Sequence, residues 1–296
     1  CFGSAAAAAA LCAPGDAQTM LHALATAGTL ASGLQQAFRS DAMSKALHAG
    51  HAAEVGVRAG QGAAHGITGV PDILEGKVGF GAALAQDPDW AVAVDGLGQR
   101  YNILSITQKN HGCCGHTFAA IDAALALRQQ GLRADDVAAL RVDAYQTALD
   151  VTGNFSPATA FEAKFSLPYV VAHALVHGSV RLDAFGPGRL RDPQVRQLMQ
   201  RLELRADPTF TAGFPRMRAA RLTVTTTDGQ VLEHHSPFRK GDPESPLSDA
   251  DLADKFDELA GPVLGRERAR ALREDVWRLD TMPVRALRLA ADMPRL

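Results

Sequence analysis

The sequence runs to 296 residues, 47% of them hydrophobic and 21% charged, with a formal net charge of −2. That composition fits a soluble globular chain of one or two domains, and its near-neutral balance gives neither nucleic acid nor an anionic membrane an electrostatic reason to bind. No apolar run approaches the roughly 20 residues that span a bilayer. The opening Cys1-Phe2-Gly3-Ser4 and its six alanines lack the cationic stretch of a signal peptide. Four cysteines suit a reducing cytoplasm, and the adjacent Cys113 and Cys114 are poorly placed for an unstrained disulfide and read as thiols.

Residues 4 to 66 are rich in alanine and helical in period. An alanine helix from Ser4 to Cys12 stops at Pro14-Gly15. A second, Ala17 to Phe38, carries Met20, Leu21, Leu24, Ala27 and Leu30 at helical spacing, and a third runs from Lys45 to Ala64. Helices this small-sided pack closely together as a bundle. On the third, Lys45 and His48 are three apart and share a face, so they can reach one ligand together. Gly50, Ala52 and Ala53 leave room beside them. The plainer reading is a helix start with surface charges.

From about residue 99 the pattern alternates between strand and helix. Tyr101 to Thr107 reads as a strand, and His116 to Gln130 as a helix closed by Gly131. Val137 to Tyr145 is a second strand, and Ala158 to Val176 a helix that Pro168 kinks or starts late. Arg216 to His234 is a hairpin about Asp228-Gly229. Pro237, Pro243 and Pro246 mark a linker before amphipathic helices that open at Ser248-Asp249 and continue to Leu279. The expected class is α+β. A helical domain (1–98) is interrupted by a smaller α+β lid domain (99–236), and helices in 237–296 return to the first.

The stretch from Lys109 to His116, Lys-Asn-His-Gly-Cys-Cys-Gly-His, concentrates one of only six lysines with two cysteines and two histidines. A zinc site needs convergent ligand spacing, which adjacent cysteines do not give. A nucleophilic cysteine would gain from the following helix N-terminus but has no evident partner. The preferred reading is an anion site, in which backbone N–H groups, Lys109 and His116 hold carboxylates. A third segment, Phe161 to Tyr169, holds Ser166 and Tyr169. A tyrosine there is more often packing than catalysis, yet a phenol can protonate a leaving hydroxyl without carrying charge. No Gly-x-Gly-x-x-Gly or Walker loop occurs.

Four motifs in order carry a resemblance: Ser40-Asp41 through Lys45-Ala46-Leu47-His48; Gly66-Ile67-Thr68-Gly69 through Gly79-Phe80; Lys109 through Cys113-Cys114 and His116 to Asp122; and Ala163-Lys164-Phe165-Ser166-Leu167-Pro168-Tyr169. Together they resemble the MmgE/PrpD family, which includes 2-methylcitrate dehydratase, cis-aconitate decarboxylase and iminodisuccinate epimerase. The resemblance implies a helical domain with an α+β lid, a homodimer, and neither metal nor organic cofactor. It implies active-site roles for Lys45, Lys109 and Tyr169; His116, a nearby histidine of the same loop, is the further catalytic candidate as proton acceptor, and His48, Cys113, Cys114 and Ser166 are candidate substrate contacts. Lys45, Lys109 and His116 are then expected to converge on one cleft. Cys114 falls where the decarboxylase branch has a histidine, and Gly112 and His111 depart from the usual loop. Family chains extend well upstream of the segment matching Cys1, so a fragment is expected. The implied activity is a lyase that dehydrates or decarboxylates a small di- or tricarboxylate. An epimerase acting beside a carboxylate and a non-catalytic truncated paralogue are the alternatives.

Overall fold

Alanine and glycine dictate the first unit, Cys1–Tyr101, of the two into which the chain divides; the second is Asn102–Leu296. The structure is a computed structural model that describes residues 1–38, 42–283 and 286. Helices α1 (Phe2–Cys12), α2 (Ala17–Leu30) and α3 (Ser44–Ala64) bury Ala5, Ala9, Ala23, Ala27, Ala59 and Ala63 against one another. With side chains this short the backbones approach closely, and the Ser4 hydroxyl donates across to the Ala52 carbonyl of α3 at 2.9 Å. Two short helices follow, α4 (Phe80–Leu84) and α5 (Trp90–Val94).

Gly60 shows how tight the α1–α3 contact is. A Cβ placed there would lie 2.6 Å from the Ala8 Cβ and 2.8 Å from the Ala9 nitrogen. Gly60→Val should therefore destabilise the unit by about 2 kcal/mol through overpacking. Urea denaturation checks it: an unchanged midpoint would mean that the two helices are not held at this distance.

The second unit is built on a four-stranded mixed sheet. Helix α6 (Phe118–Gln129) packs on it, and β1 (Val137–Ala144) is the first of two central strands. Between β1 and β2 (Leu202–Ala206) run α7 (Gln146–Thr152), α8 (Ala160–Lys164), α9 (Leu167–His177), α10 (Pro187–Leu190) and α11 (Pro193–Met199). Short α12 (Pro208–Gly213) leads to the hairpin of β3 (Ala220–Thr226) and β4 (Val231–Ser236). The order is β2-β1-β3-β4, with β1 parallel to β2 and antiparallel to β3. Alternate residues of β3, Ala220, Leu222, Val224 and Thr226, are buried. The first three join Phe118, Ile121 and Leu127 of α6 and Val170, Val171 and Leu175 of α9 in one core. Helices α13 (Asp249–Leu264) and α14 (Arg266–Trp277) close the described chain. Glu258 of α13 accepts from Arg181 Nη1 at 3.3 Å and from the Leu182 amide at 3.1 Å.

The sequence reading needs four local corrections. Residues 101–107 are not a strand: Asn102–Ser105 is a single 3-10 turn, and Ile103 and Leu104 are more than 70% exposed. Strand formation depends on a pairing partner more than on β-branched content, and among the described residues this segment pairs with no strand. Helix α2 stops at Leu30, where Ala31 turns extended ahead of Gly33 at φ +124°. The helix expected over 158–176 is two, because Ser166 caps a fresh start with Pro168 in its first turn. Strand β2 has no counterpart in the sequence reading. Ser40 and Asp41 of the first motif lie outside the described residues.

Candidate functional site

The loop from Lys109 to Thr117 is stitched to its surroundings through its backbone. The Gly112 amide donates to the Val180 carbonyl at 3.0 Å and the Cys114 amide to the Lys164 carbonyl at 2.9 Å. The Thr117 hydroxyl donates to the Cys114 carbonyl at 2.8 Å, turning the chain into α6. His116 is thereby set over the end of β1, where Tyr145 begins α7. The Tyr145 hydroxyl and His116 Nδ1 are 2.6 Å apart. Phe214, at the end of α12, stacks on the Tyr145 ring with centroids 4.8 Å apart and lies 6.1 Å from His116. Among the described residues His116 Nε2 has no hydrogen-bond partner, and the residue is half-buried.

Positive charge surrounds this pair. The Arg218 guanidinium sits over Phe214, 5.6 Å from the ring centroid. Arg239 forks onto Asp242, with Nε 3.0 Å from Oδ2 and Nη2 2.5 Å from Oδ1, and donates to the Thr107 hydroxyl at 2.7 Å. Its other arm reaches the Gly115 carbonyl at 3.5 Å. Burial pushes the His116 imidazole down to about 4, with help from Arg218, Arg239 and Lys109. The ring is therefore neutral at pH 7. Burial also raises the Tyr145 phenol well above its ordinary value. Lys255, whose Nζ donates to the Lys109 carbonyl at 2.7 Å, is lowered by burial and then by Arg181 and Lys109. A protonated imidazole is disfavoured here because cations already outnumber the anions beside it.

The residues singled out from sequence occupy different situations. His116 lies in the cluster, half-buried Cys114 is close enough to Tyr145 to raise its phenol, and Lys109 is exposed with its charge acting on His116. Cys113 turns inward, its sulfur 3.2 Å from the Thr117 hydroxyl. Ser166 donates to the Asn154 carbonyl at 2.5 Å while accepting from the Tyr169 amide, so it acts as a helix cap. Tyr169 is fully buried and its hydroxyl donates to the Ala184 carbonyl at 2.5 Å. Lys45 and His48 lie on α3 of the first unit, Lys45 exposed and His48 half-buried. Tyr145, Phe214, Arg218 and Arg239 had no signal in the sequence beyond the strand that delivers Tyr145.

Burial pushes the Cys113 thiol up to about 12, which leaves almost no thiolate at neutral pH. In timed iodoacetamide labelling, exposed Cys12 should react first and Cys113 last. Rapid labelling of Cys113 in the folded protein would contradict the buried placement. Among the described residues no three His, Cys, Asp or Glu side chains converge as metal ligands, and no helix is long and apolar enough to cross a membrane.

A neutral histidine paired with a phenol and ringed by cations is chemically able to pass a proton to or from a small anion. The chain belongs to the MmgE/PrpD family: residues 1–93 match its N-terminal domain and residues 111–281 its C-terminal domain. It is 28% identical over 245 residues to the cis-aconitate decarboxylase of Mus musculus, covering 80% of this chain and 50% of that protein. A cis-aconitate decarboxylase-like protein of Aspergillus oryzae is 26% identical across 95% of this chain and 61% of its own length. A 2-methylcitrate dehydratase-like protein of the same fungus is 30% identical across 55% of this chain and 35% of its own. The chain thus spans half the length of the mouse enzyme.

Proposed function

We propose that this chain carries the proton-transfer site of a cofactor-independent lyase that dehydrates or decarboxylates a small di- or tricarboxylate. The observation that carries the reading is the His116–Tyr145 pair at 2.6 Å, neutral and set among Arg218, Arg239 and Lys109. The names of the relatives, a decarboxylase and a dehydratase-like protein, support the reaction class.

Both reactions place negative charge next to a carboxylate. Dehydration removes a proton from the carbon beside one carboxylate, and the hydroxyl on the neighbouring carbon leaves as water once protonated. Decarboxylation breaks a carbon–carbon bond, carbon dioxide departs, and the electron pair left behind takes up a proton. Fixed cations in a partly dry site stabilise that charge without reorganising. His116 Nε2, without a hydrogen-bond partner among the described residues, is the atom that meets substrate in this reading. With Nδ1 protonated toward the phenol oxygen, Nε2 offers a lone pair; having taken a proton from carbon or from water, the imidazolium can deliver it from Nε2 while the phenol stays protonated. The pair can therefore move a proton in either direction. A polyanionic substrate offsets the surrounding cations and makes the imidazole more basic when the base is needed.

Proton NMR of candidate di- and tricarboxylates in deuterated water tests the reading. Loss of water or carbon dioxide, abolished in His116→Ala, is the expected result. Deuterium at one carbon with no bond lost would mean an epimerase, and no change in any acid by a folded protein would overturn the reading.

The pH dependence follows from the direction of the His116 shift. With its folded value near 4, kcat/KM should hold from neutrality down to about pH 4.5, after correction for substrate ionisation. An acidic limb at the ordinary histidine value of about 6.5 would contradict it. Stability has the matching sign. Between about pH 6.5 and 4 the unfolded chain takes up a proton that folded His116 refuses, so acidification through this window weakens the fold.

A further inference from the structure

Arg218 stands apart from the other arginines around the site. Arg239 is matched by Asp242, Arg181 by Glu258 and Arg221 by Glu233. Among the described residues Arg218 has neither an ion pair nor a hydrogen bond from its guanidinium; its one partner is the face of Phe214, 5.6 Å away. It is half-buried, so part of its hydration has been given up without a compensating anion. Stacking on a ring fixes the plane of a guanidinium while leaving its N–H fork free at the edge. That fork fits a carboxylate in two parallel hydrogen bonds.

Its position relates it directly to the chemistry. Phe214 contacts both Arg218 and the Tyr145 ring, which it meets at 4.8 Å and 14°, and it lies 6.1 Å from His116. One aromatic ring therefore sets the spacing between an unpaired cation and the proton-transfer pair. After burial, Arg218 is also the largest influence on both His116 and Tyr145. A group held this way responds to an anion that arrives, because no residue of the described chain neutralises it.

We infer that Arg218 is a specificity-determining residue that takes a non-reacting carboxylate of the substrate in a bidentate pair and so holds the neighbouring carbon at His116 Nε2. This deepens the reading of a polycarboxylate lyase and rests on it for the reaction, while the binding step stands by itself. A substrate needs a second carboxylate to use Arg218 and be processed at once, so monocarboxylates are excluded.

The test uses tricarballylate, a tricarboxylate with no hydroxyl to lose, and butyrate as the monocarboxylate. Calorimetry would compare the protein with R218Q and R218K, after thermal melting has shown each variant folded. R218Q should bind tricarballylate on the order of tenfold to a hundredfold more weakly, the range of a hydrogen bond to a charged group. R218K should recover part of the loss, since it restores the charge but not the fork. In turnover, R218Q should raise KM for the polycarboxylate more than it lowers kcat. Equal affinity for tricarballylate in R218Q and the unaltered protein would overturn the assignment, as would no tricarballylate binding at all or tighter binding of butyrate. Binding lost in R218Q without turnover of any acid would sink the lyase reading and leave Arg218 in place. Turnover with an unchanged KM in R218Q would do the reverse.

Discussion

Tyr145→Phe is expected to lower turnover on the order of a hundredfold, the usual contribution of a positioned acid–base group. The substitution keeps the ring stacked on Phe214 and removes only the oxygen 2.6 Å from His116 Nδ1. Without the phenol nothing sets the tautomer of the imidazole, and Nε2 is no longer held with its lone pair free. KM should move little, because the cations proposed to bind carboxylate are untouched. Tyr169→Phe supplies the contrast. It removes a hydroxyl bonded to the Ala184 carbonyl, so it should cost about 1 kcal/mol of stability and leave turnover within about twofold, as expected for a group outside proton transfer. A hundredfold loss in Tyr169→Phe with no loss in Tyr145→Phe would return the acid role to Tyr169, where the family resemblance puts it.

Asp242→Ala should be the most damaging single change for the second unit, at about 3–5 kcal/mol. Asp242 and Arg239 are each only 8% exposed. Burial alone would raise the Asp242 carboxyl, but hydrogen bonds from Arg239 and Thr107 outweigh it and hold the group below its ordinary value. Removing the carboxylate leaves a buried guanidinium whose only other acceptors among the described residues are the Thr107 hydroxyl and the Gly115 carbonyl. The reactive loop would lose a support at Gly115, beside His116. Denaturant unfolding of Asp242→Ala and of the double variant Asp242→Ala/Arg239→Met separates the causes. The double variant should recover part of the loss, since it no longer buries an uncompensated charge. A double variant as unstable as the single one would assign the loss to packing instead.

What the sequence made legible were features written in local spacing. The alanine and glycine period of the first three helices, the Asp228-Gly229 turn and the Ser248 start all act over a few residues. Ser248 forms a full capping box with Asp251, which is why that boundary could be read to within a residue. The strand expected over 101–107 was misread because its apolar residues imitate a half-buried strand, while pairing is decided by neighbours remote in the chain. Strand β2 escaped for the complementary reason: Leu202-Glu203-Leu204-Arg205-Ala206 is a short edge strand with two charges, and its parallel partner lies beyond five intervening helices.

The site divides the same way. The loop from Lys109 to His116 drew notice by concentrating reactive side chains; two of its backbone N–H groups expected to hold an anion, those of Gly112 and Cys114, instead donate to the Val180 and Lys164 carbonyls. The partners that give His116 its chemistry drew none, because Tyr145 is 29 positions away and Arg239 meets the loop from 124 positions away. No period or spacing rule reaches across such separations, and tertiary packing alone joins them. Ser166 and Tyr169 were drawn in as a motif; in the structure their polar atoms serve a helix cap and a backbone carbonyl.

In the proposed mechanism burial and surrounding cations hold His116 neutral until a polyanion arrives. Nitrogen-15 NMR of the imidazole, titrated with and without tricarballylate, tests it most directly. The account requires a midpoint near 4 in the free protein and a shift toward the ordinary value of about 6.5 when the tricarboxylate binds. A midpoint already at the ordinary value, unmoved by saturating tricarballylate, would contradict it.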